Sequence, residues 1–108
     1  MFLRALTEAG DVWDDPSEDL MYELLSDLPG VGDWVIVERP SDPTGQTYAQ
    51  VLLNTDGTFL IEYREGGPRR HYQAIALDMR TVHAALSGWA FELDGWRDPL
   101  EWHELKVP

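Results

Sequence analysis

Residues 48–76 read YAQVLLNTDGTFLIEYREGGPRRHYQAIA, and this stretch decides the fold. Three of its segments place apolar or aromatic residues at alternate positions, which predicts strands with one buried face. These segments are Tyr48–Leu53, Thr58–Arg64 and His71–Ala76. The first two flank Asn54–Gly57, a strong hairpin signal because Asn and Gly tolerate the left-handed backbone of tight turns. The last two are joined around Glu65–Pro68, so the stretch predicts an antiparallel meander.

The chain outside the meander contains further strand-like segments. Trp34–Arg39 is rich in β-branched residues and is stopped by Pro40, which predicts a fourth strand. Near the start of the chain, residues 2–9 fit either a short helix or a strand, and we favour the helix. Near its end, Glu101–Val107 predicts a short terminal strand.

Two helices are predicted around these strands. Ser17 is placed to cap a helix over 18–27, whose leucines recur at helical spacing, and Pro29–Gly32 ends it. Asp78 is placed to cap a second helix over 79–91. The predicted fold class is α+β: a four-stranded antiparallel meander with an N-terminal and a C-terminal helix and a short terminal strand. We expect a single domain over residues 1–108.

A four-residue loop at Asn54–Gly57 determines the expected register of the first hairpin. It sets Leu52 opposite Phe59 and Tyr48 opposite Tyr63. The second turn adds the pairs Tyr63 with Tyr72 and Ile61 with Ala74. One face then holds the expected core: Tyr48, Leu52, Phe59, Ile61, Tyr63, Tyr72, Ala74 and Ala76. The other face is half apolar and needs a cover, either the acidic first helix or a partner such as a second copy of the chain.

Composition excludes several classes of protein. The chain has 108 residues, 20 acidic and 8 basic side chains, a formal net charge of −12 and no cysteine. Without cysteine, disulfide frameworks, cysteine nucleophiles and cysteine zinc sites are excluded. Nucleic-acid binding needs a basic surface, which a chain with a sequence pI of about 4.3 does not offer. Since no apolar run approaches the ~20 residues of a membrane span, we expect a cytoplasmic protein without a membrane partner.

Most of the acidic charge lies in the first third of the chain. Residues 1–33 contain nine acids and one base, for a net charge of −8. Such asymmetry produces a field that steers a basic protein partner, although a solvated helix that aids solubility has the same composition. The acids assigned to partner binding lie before and within the first predicted helix. They are Asp14, Asp15, Glu18, Asp19 and Glu23.

Two further groups of residues are candidates for binding. Arg64, Arg69 and Arg70 form a basic cluster where an anion or a carboxylate of a partner can dock. The alternative is that these arginines pair with neighbouring acids. Trp96 and Trp102 stand in polar surroundings, which is typical of interface anchors and also of aromatic residues at the edge of a core.

The sequence contains no recognisable catalytic or metal-binding pattern. The three histidines, His71, His83 and His103, lie on different predicted elements without the close spacing of zinc ligands. No serine stands in a nucleophile motif, and no glycine-rich phosphate loop is present. We therefore expect no metal, no cofactor and no enzymatic activity.

A pattern of hairpin, helix and tryptophans over residues 48–102 carries a family resemblance. Its parts are Asp56–Thr58, Ile61–Pro68, His71–Tyr72, Val82–Leu86, Trp89–Ala90, Gly95–Arg97 and Trp102. The pattern resembles small uncharacterised proteins of actinomycetes and is loosely similar to the Imm1-type immunity proteins of bacterial polymorphic-toxin systems. The resemblance implies an α+β domain that binds and blocks a toxin and has no catalytic residues. The acidic first third lies outside it.

Charge and resemblance together predict a non-catalytic, acidic protein-binding domain, an immunity-type inhibitor of a basic toxin or effector. One alternative is a small structural domain that forms a homodimer through the half-apolar sheet face. The other is a small ligand-binding protein or enzyme. These alternatives stay open on the sequence alone.

Overall fold

Seven strands form one antiparallel sheet in the computed structural model, which describes residues 2–28 and 33–105. The strands are β1 (Arg4–Thr7), β2 (Val12–Asp14), β3 (Trp34–Glu38), β4 (Thr47–Leu53), β5 (Phe59–Glu65), β6 (His71–Ala76) and β7 (His103–Glu104). Their order across the sheet is β2-β1-β3-β4-β5-β6-β7. Two helices accompany the sheet, α1 (Glu18–Ser26) and α2 (Met79–Ala90), and a short 3₁₀ turn covers Pro68–Arg70.

The chain is α+β, but the prediction of a four-stranded meander is wrong because the sheet has seven strands. The favoured helix over residues 2–9 is also wrong, since β1 occupies Arg4–Thr7 and turns back into β2. Ala5 pairs with Val37 on one side and with Trp13 on the other. The partner on β3 is 32 positions away in sequence, so local pattern does not reveal this pairing.

The ends of the predicted elements need smaller corrections. The terminal strand predicted over Glu101–Val107 is observed only at His103–Glu104, and residues 106–107 lie outside the described residues. The predicted stop at Pro29–Gly32 also lies outside them. Both predicted helix caps are confirmed. The Ser17 side chain accepts a hydrogen bond from the Leu20 N–H, and the Asp78 side chain accepts one from the Thr81 N–H.

The predicted register of the β4–β5 hairpin is wrong by one residue. Leu53 pairs with Phe59, and Tyr48 pairs with Arg64 rather than with Tyr63. The reason is the turn: the Asn54 N–H donates to the Thr58 carbonyl at 2.9 Å, closing a three-residue loop in which Gly57 has φ of +84°. An odd loop shifts one strand by one position, which exchanges its two faces. The predicted pairs on β5 and β6, Tyr63–Tyr72 and Ile61–Ala74, are confirmed.

Both helices pack on one face of the sheet, here called the core face. The shifted register gives its β4 positions to Ala49 and Val51, both fully buried, instead of to Tyr48 and Leu52. The remaining core comes from alternate strand residues and from the apolar sides of the helices. Its largest fully buried side chains include Met21, Leu25, Val35, Val37, Ile61, Val82, Leu86 and Trp89. The expectation that α1 covers the opposite face is therefore wrong, because its Met21 and Leu25 join the same core as α2.

The opposite side of the sheet is here called the open face, and its side chains form three rows across the strands. The apolar row consists of Trp34, Leu52, Leu60 and Ile75. The mixed row consists of Leu6, Ile36, Gln50, Glu62 and Gln73. The ionic row consists of Arg4, Glu38, Tyr48, Arg64 and His71. All of these side chains except His71 retain solvent exposure.

Gly88 of α2 lies against the loop that follows this helix, and the contact tests the packing. A Cβ added at Gly88 would overlap the Cβ of Trp96. We expect Gly88→Ala to lower the free energy of unfolding by about 1–2 kcal/mol, because so close an overlap costs ~2–3 kcal/mol and helix propensity returns only ~1 kcal/mol. Urea unfolding measures this difference.

Gly67→Ala is the matched control for this substitution. Gly67 has an extended backbone with φ of −178°, and no atom lies within 4 Å of an added Cβ. Its unfolding free energy is expected to stay within about 0.5 kcal/mol of the wild type. Equal stability of Gly88→Ala and the wild type would contradict the packing described here.

Candidate functional site

A groove of about 510 Å³ separates α1 from the β1–β2 hairpin and the start of β3. We call it the acidic groove. Its apolar lining, here called the floor, comes from both sides and consists of Ala9, Trp13, Leu20, Leu24, Leu28, Trp34 and Val35. Its acidic lining, here called the rim, consists of Glu8, Asp11, Glu23, Asp27 and Asp33. Apolar side chains and carboxylates therefore lie on both sides of this groove.

Helical spacing builds the α1 wall of the groove. Leu20 and Leu24 lie four residues apart on the same side of α1, and Leu28 follows just beyond the end of the helix. Glu23 and Asp27 are also four residues apart and form a parallel acidic line beside the leucines. One wall therefore offers apolar contact and negative charge along its whole length.

The hairpin turn builds the facing wall. The Thr7 N–H donates to the Asp11 carbonyl at 3.1 Å, and the Gly10 N–H donates to the Thr7 carbonyl at 3.0 Å. Gly10 has φ of +92°, which glycine adopts without strain. This turn brings Glu8 and Asp11 to the end of the hairpin that faces α1.

The charge of the groove is not compensated within the part of the chain that the structure describes. Its described lining includes no Lys, Arg or His, and none of its five acids takes part in a described ion pair. Elsewhere the acids find partners: Arg4 lies 3.5 Å from Asp14 and 3.6 Å from Glu38. The groove thus concentrates negative charge beside an apolar surface.

Two carboxylates at the mouth of the groove interact directly. The carboxyl groups of Glu8 and Asp33 lie close enough to form a hydrogen bond when one of them is protonated. This interaction raises the pKa of Glu8 above its ordinary value, and desolvation and the negative charge of Asp33 add to the rise. A cation placed between the two carboxylates would offset their repulsion.

The groove also contains one polar atom without a partner. Thr7 lines the groove, and its Oγ1 is buried without a hydrogen-bond partner in the described structure. Buried hydroxyls are usually hydrogen-bonded, so an unsatisfied hydroxyl costs stability. The groove therefore combines crowded carboxylates with an unused hydroxyl.

The acids predicted for partner binding occupy different places. Glu23 lines the groove, whereas Glu18 and Asp19 are exposed in the first turn of α1. Asp14 pairs with Arg4 on the open face. Asp15, at φ of +48°, accepts hydrogen bonds from the N–H groups of residues 2 and 3 at 2.6 and 3.0 Å. These two bonds lower the pKa of Asp15 below its ordinary value and give it a role in fastening the N-terminus.

The predicted anchors Trp96 and Trp102 lie together, far along the chain from the groove. Their ring centroids are 5.5 Å apart, and each packs edge-on against Tyr63. The guanidinium of Arg97 lies over the rings of Tyr63 and Trp102 at 5.5 and 5.8 Å. Both tryptophans are half-buried in this cluster, so they pack at the edge of the core.

The three predicted anion-docking arginines are in two different settings. Arg64 lies on the open face, where its Nε donates to Nδ1 of His71 at 3.0 Å and its Nη1 donates to Gln46 at 2.6 Å. Arg69 and Arg70 are exposed on the 3₁₀ turn. Arg69 and Arg70 therefore do not share the setting of Arg64, whose guanidinium already donates to His71 and Gln46.

Sequence reasoning missed Glu8, Asp11, Asp27, Asp33 and the floor residue Trp13. All four acids belong to the strongly negative segment 1–33, so the charge signal contained them. The missing information was the β1–β2 turn, because a helix over 2–9 does not predict that Glu8 faces α1. The spacing of Glu23 and Asp27 was a signal in the sequence that marked one wall.

Comparisons with protein-family models, with curated proteins and with solved structures gave no match. No helix among the described residues is long and apolar enough to cross a lipid bilayer. The geometry and electrostatics of the chain itself therefore carry the functional argument.

The Glu8–Asp33 pair gives a stability prediction with a definite dependence on pH. Because the folded-state pKa of Glu8 is raised, protonated Glu8 stabilises the folded protein, and this contribution is complete below the ordinary carboxyl pKa. The contribution is lost as the pH rises through the raised pKa. Glu8→Gln keeps a hydrogen-bond donor at every pH. We expect its melting temperature to exceed that of the wild type at pH 7 and the difference to shrink at pH 4.

Glu104→Gln removes the same charge at the far edge of the sheet and serves as the control. Thermal unfolding of the three proteins at both pH values measures the effect. A melting temperature for Glu8→Gln that falls at pH 7, or that rises no more than in Glu104→Gln, would contradict a strained carboxylate pair.

Proposed function

We propose that the protein is a non-catalytic protein-binding domain whose acidic groove receives a basic, partly apolar segment of a partner protein. The observation that carries the proposal is the pairing of five carboxylates with an apolar floor and no described cation in the lining. A segment with alternating basic and apolar side chains is complementary to both parts. An acidic or purely polar segment is complementary to neither.

The two parts of the groove have different physical roles. Burying one leucine-sized side chain contributes about 1.5–3 kcal/mol, whereas an exposed ion pair contributes only ~0.2–1 kcal/mol. The floor, with Trp13 and the α1 leucines, therefore supplies most of the affinity. The acids on the rim accelerate encounter and select basic partners, because complementary charge acts chiefly on association rate and specificity.

The proposal extends to an immunity-type inhibitor of a basic toxin or effector, acting in the bacterial cytoplasm. Such an inhibitor needs a strongly acidic surface and no catalytic residues of its own. The net charge of −12 and the resemblance of residues 48–102 to Imm1-type immunity proteins support this reading. The acidic groove supports it independently, since it lies outside the segment of resemblance.

A synthetic peptide that alternates lysine with leucine over 12 positions is a direct probe of the groove. We expect it to shift the indole N–H signal of Trp13 in ¹H–¹⁵N NMR spectra and to leave those of Trp96 and Trp102 in place. Binding should weaken as sodium chloride rises from 50 to 300 mM, because salt screens the rim charges. A peptide with serine in place of leucine should bind at least tenfold more weakly, since it cannot use the apolar floor.

Two triple variants with the same change of net charge separate the groove from general acidity. Glu8→Gln, Glu23→Gln and Asp27→Asn together remove three rim charges, and we expect about tenfold weaker peptide binding from three exposed pairs. The control combines Glu18→Gln, Asp19→Asn and Glu104→Gln. An equal loss in both triple variants, or equal binding of the serine peptide, would contradict the proposed function.

A further inference from the structure

The open face is a second surface without a cover from either helix, and it differs from the rest of the molecule in charge. Apart from histidine, the charged side chains on its described strands are two arginines, Arg4 and Arg64, and three carboxylates, Asp14, Glu38 and Glu62. Glu101 lies at its edge, beside Leu60 and Ile75. The chain as a whole carries −12. The open face therefore carries little of the net charge, and most of its ionic groups are engaged with one another.

Most charged side chains of the ionic row form ion pairs or hydrogen bonds within the open face. Arg4 lies near both Asp14 and Glu38. Nε2 of the buried His71 lies 3.4 Å from Glu62, and its Nδ1 accepts from Arg64. Groups that are already paired lose less hydration energy when a second surface covers them. The apolar row beside them remains partly exposed, with Ile75 49% exposed at its end.

We propose that the open face packs against the open face of a second copy of this chain, forming a two-fold symmetric dimer. A two-fold axis parallel to the strands and midway between β4 and β5 exchanges β4 with β5 and β3 with β6. It brings Leu52 of one copy to Leu60 of the other, and Trp34 to Ile75. In the ionic row it brings Tyr48 of one copy to Arg64 of the other.

The positions on the two central strands select a second copy as the occupant, because the axis pairs Leu52 with Leu60, Gln50 with Glu62 and Tyr48 with Arg64. An apolar side chain thus meets an apolar one, an amide meets a carboxylate, and an aromatic ring meets a guanidinium. The same residues contact each other twice, as a closed two-fold interface requires. Two sheets packed in this way lie ~10 Å apart and form a sandwich in which the apolar row closes one end of the interface.

The size of the face is sufficient for such an interface. The 34 strand residues, each covering ~3.3 Å along a strand and ~4.8 Å across the sheet, give a projected area of roughly 500 Å² per copy. Side chains that stand above the sheet raise the accessible area toward the ~600–800 Å² that each partner buries in specific complexes.

Sedimentation equilibrium of the purified protein from 5 to 500 μM tests the proposal. We expect a dimer that tightens when sodium chloride rises from 50 to 300 mM, because salt screens the repulsion between two copies of net charge −12. This is the opposite sign to the salt dependence expected for the lysine–leucine peptide in the acidic groove. The two proposals can therefore fail separately.

Single substitutions identify the surface. Leu60→Asp and Ile75→Asp place a charge in the apolar row, and we expect each to weaken the dimer at least tenfold while peptide binding in the groove stays unchanged. Leu93→Asp is the control, since Leu93 is 52% exposed in the segment that follows α2. It should alter the dimer dissociation constant less than twofold.

Two results would overturn the dimer. One is a wild-type protein that remains monomeric over the whole concentration range at both salt concentrations. The other is an unchanged dimer dissociation constant in Ile75→Asp, and this result overturns the proposal even if Leu60→Asp does not fold. A monomeric protein whose open face binds a different protein or lipid would likewise overturn the dimer.

Discussion

The pairing of β1 between β2 and β3 is the interaction on which the rest of the molecule depends. Ala5 is fully buried where it pairs with both Trp13 and Val37. This pairing sets the Thr7–Asp11 turn opposite α1 and so forms one wall of the acidic groove. It also extends the sheet beyond the meander, which gives the open face its width. A chain that left residues 4–7 unpaired would have neither surface in its present form.

The acidic groove combines features that reduce stability and favour binding. A hydrogen bond to Asp33, possible only when one carboxyl is protonated, raises the pKa of Glu8, and the buried hydroxyl of Thr7 has no partner among the described residues. Asp56 and Asp78, by contrast, accept hydrogen bonds from nearby threonines, which lower the pKa of each below its ordinary value. Acids in the turns and at the helix cap are thus satisfied by their neighbours, whereas the carboxylates of Glu8 and Asp33 repel each other. A basic partner would relieve that repulsion.

Sequence reasoning was successful where structure depends on neighbouring residues. The caps at Ser17 and Asp78, the two helices and the central strands follow from local pattern. It failed where the structure depends on pairing between distant strands or on whether a loop has three or four residues. The β1–β3 pairing joins residues 28 to 34 positions apart, and the three-residue loop at Thr55–Gly57 exchanged the faces of β4. The first error left the acidic groove unpredicted, and the second placed Leu52 on the core face instead of the open face.

The central claim is that a basic, apolar segment docks in the acidic groove through contact with its floor. Nuclear Overhauser effects between the leucine methyl groups of the lysine–leucine peptide and the protein test this contact directly. The account predicts cross-peaks to the Trp13 ring and to the methyl groups of Leu24. Cross-peaks confined to Leu60 and Leu52 on the open face, or to the rings of Trp96 and Trp102, would contradict it.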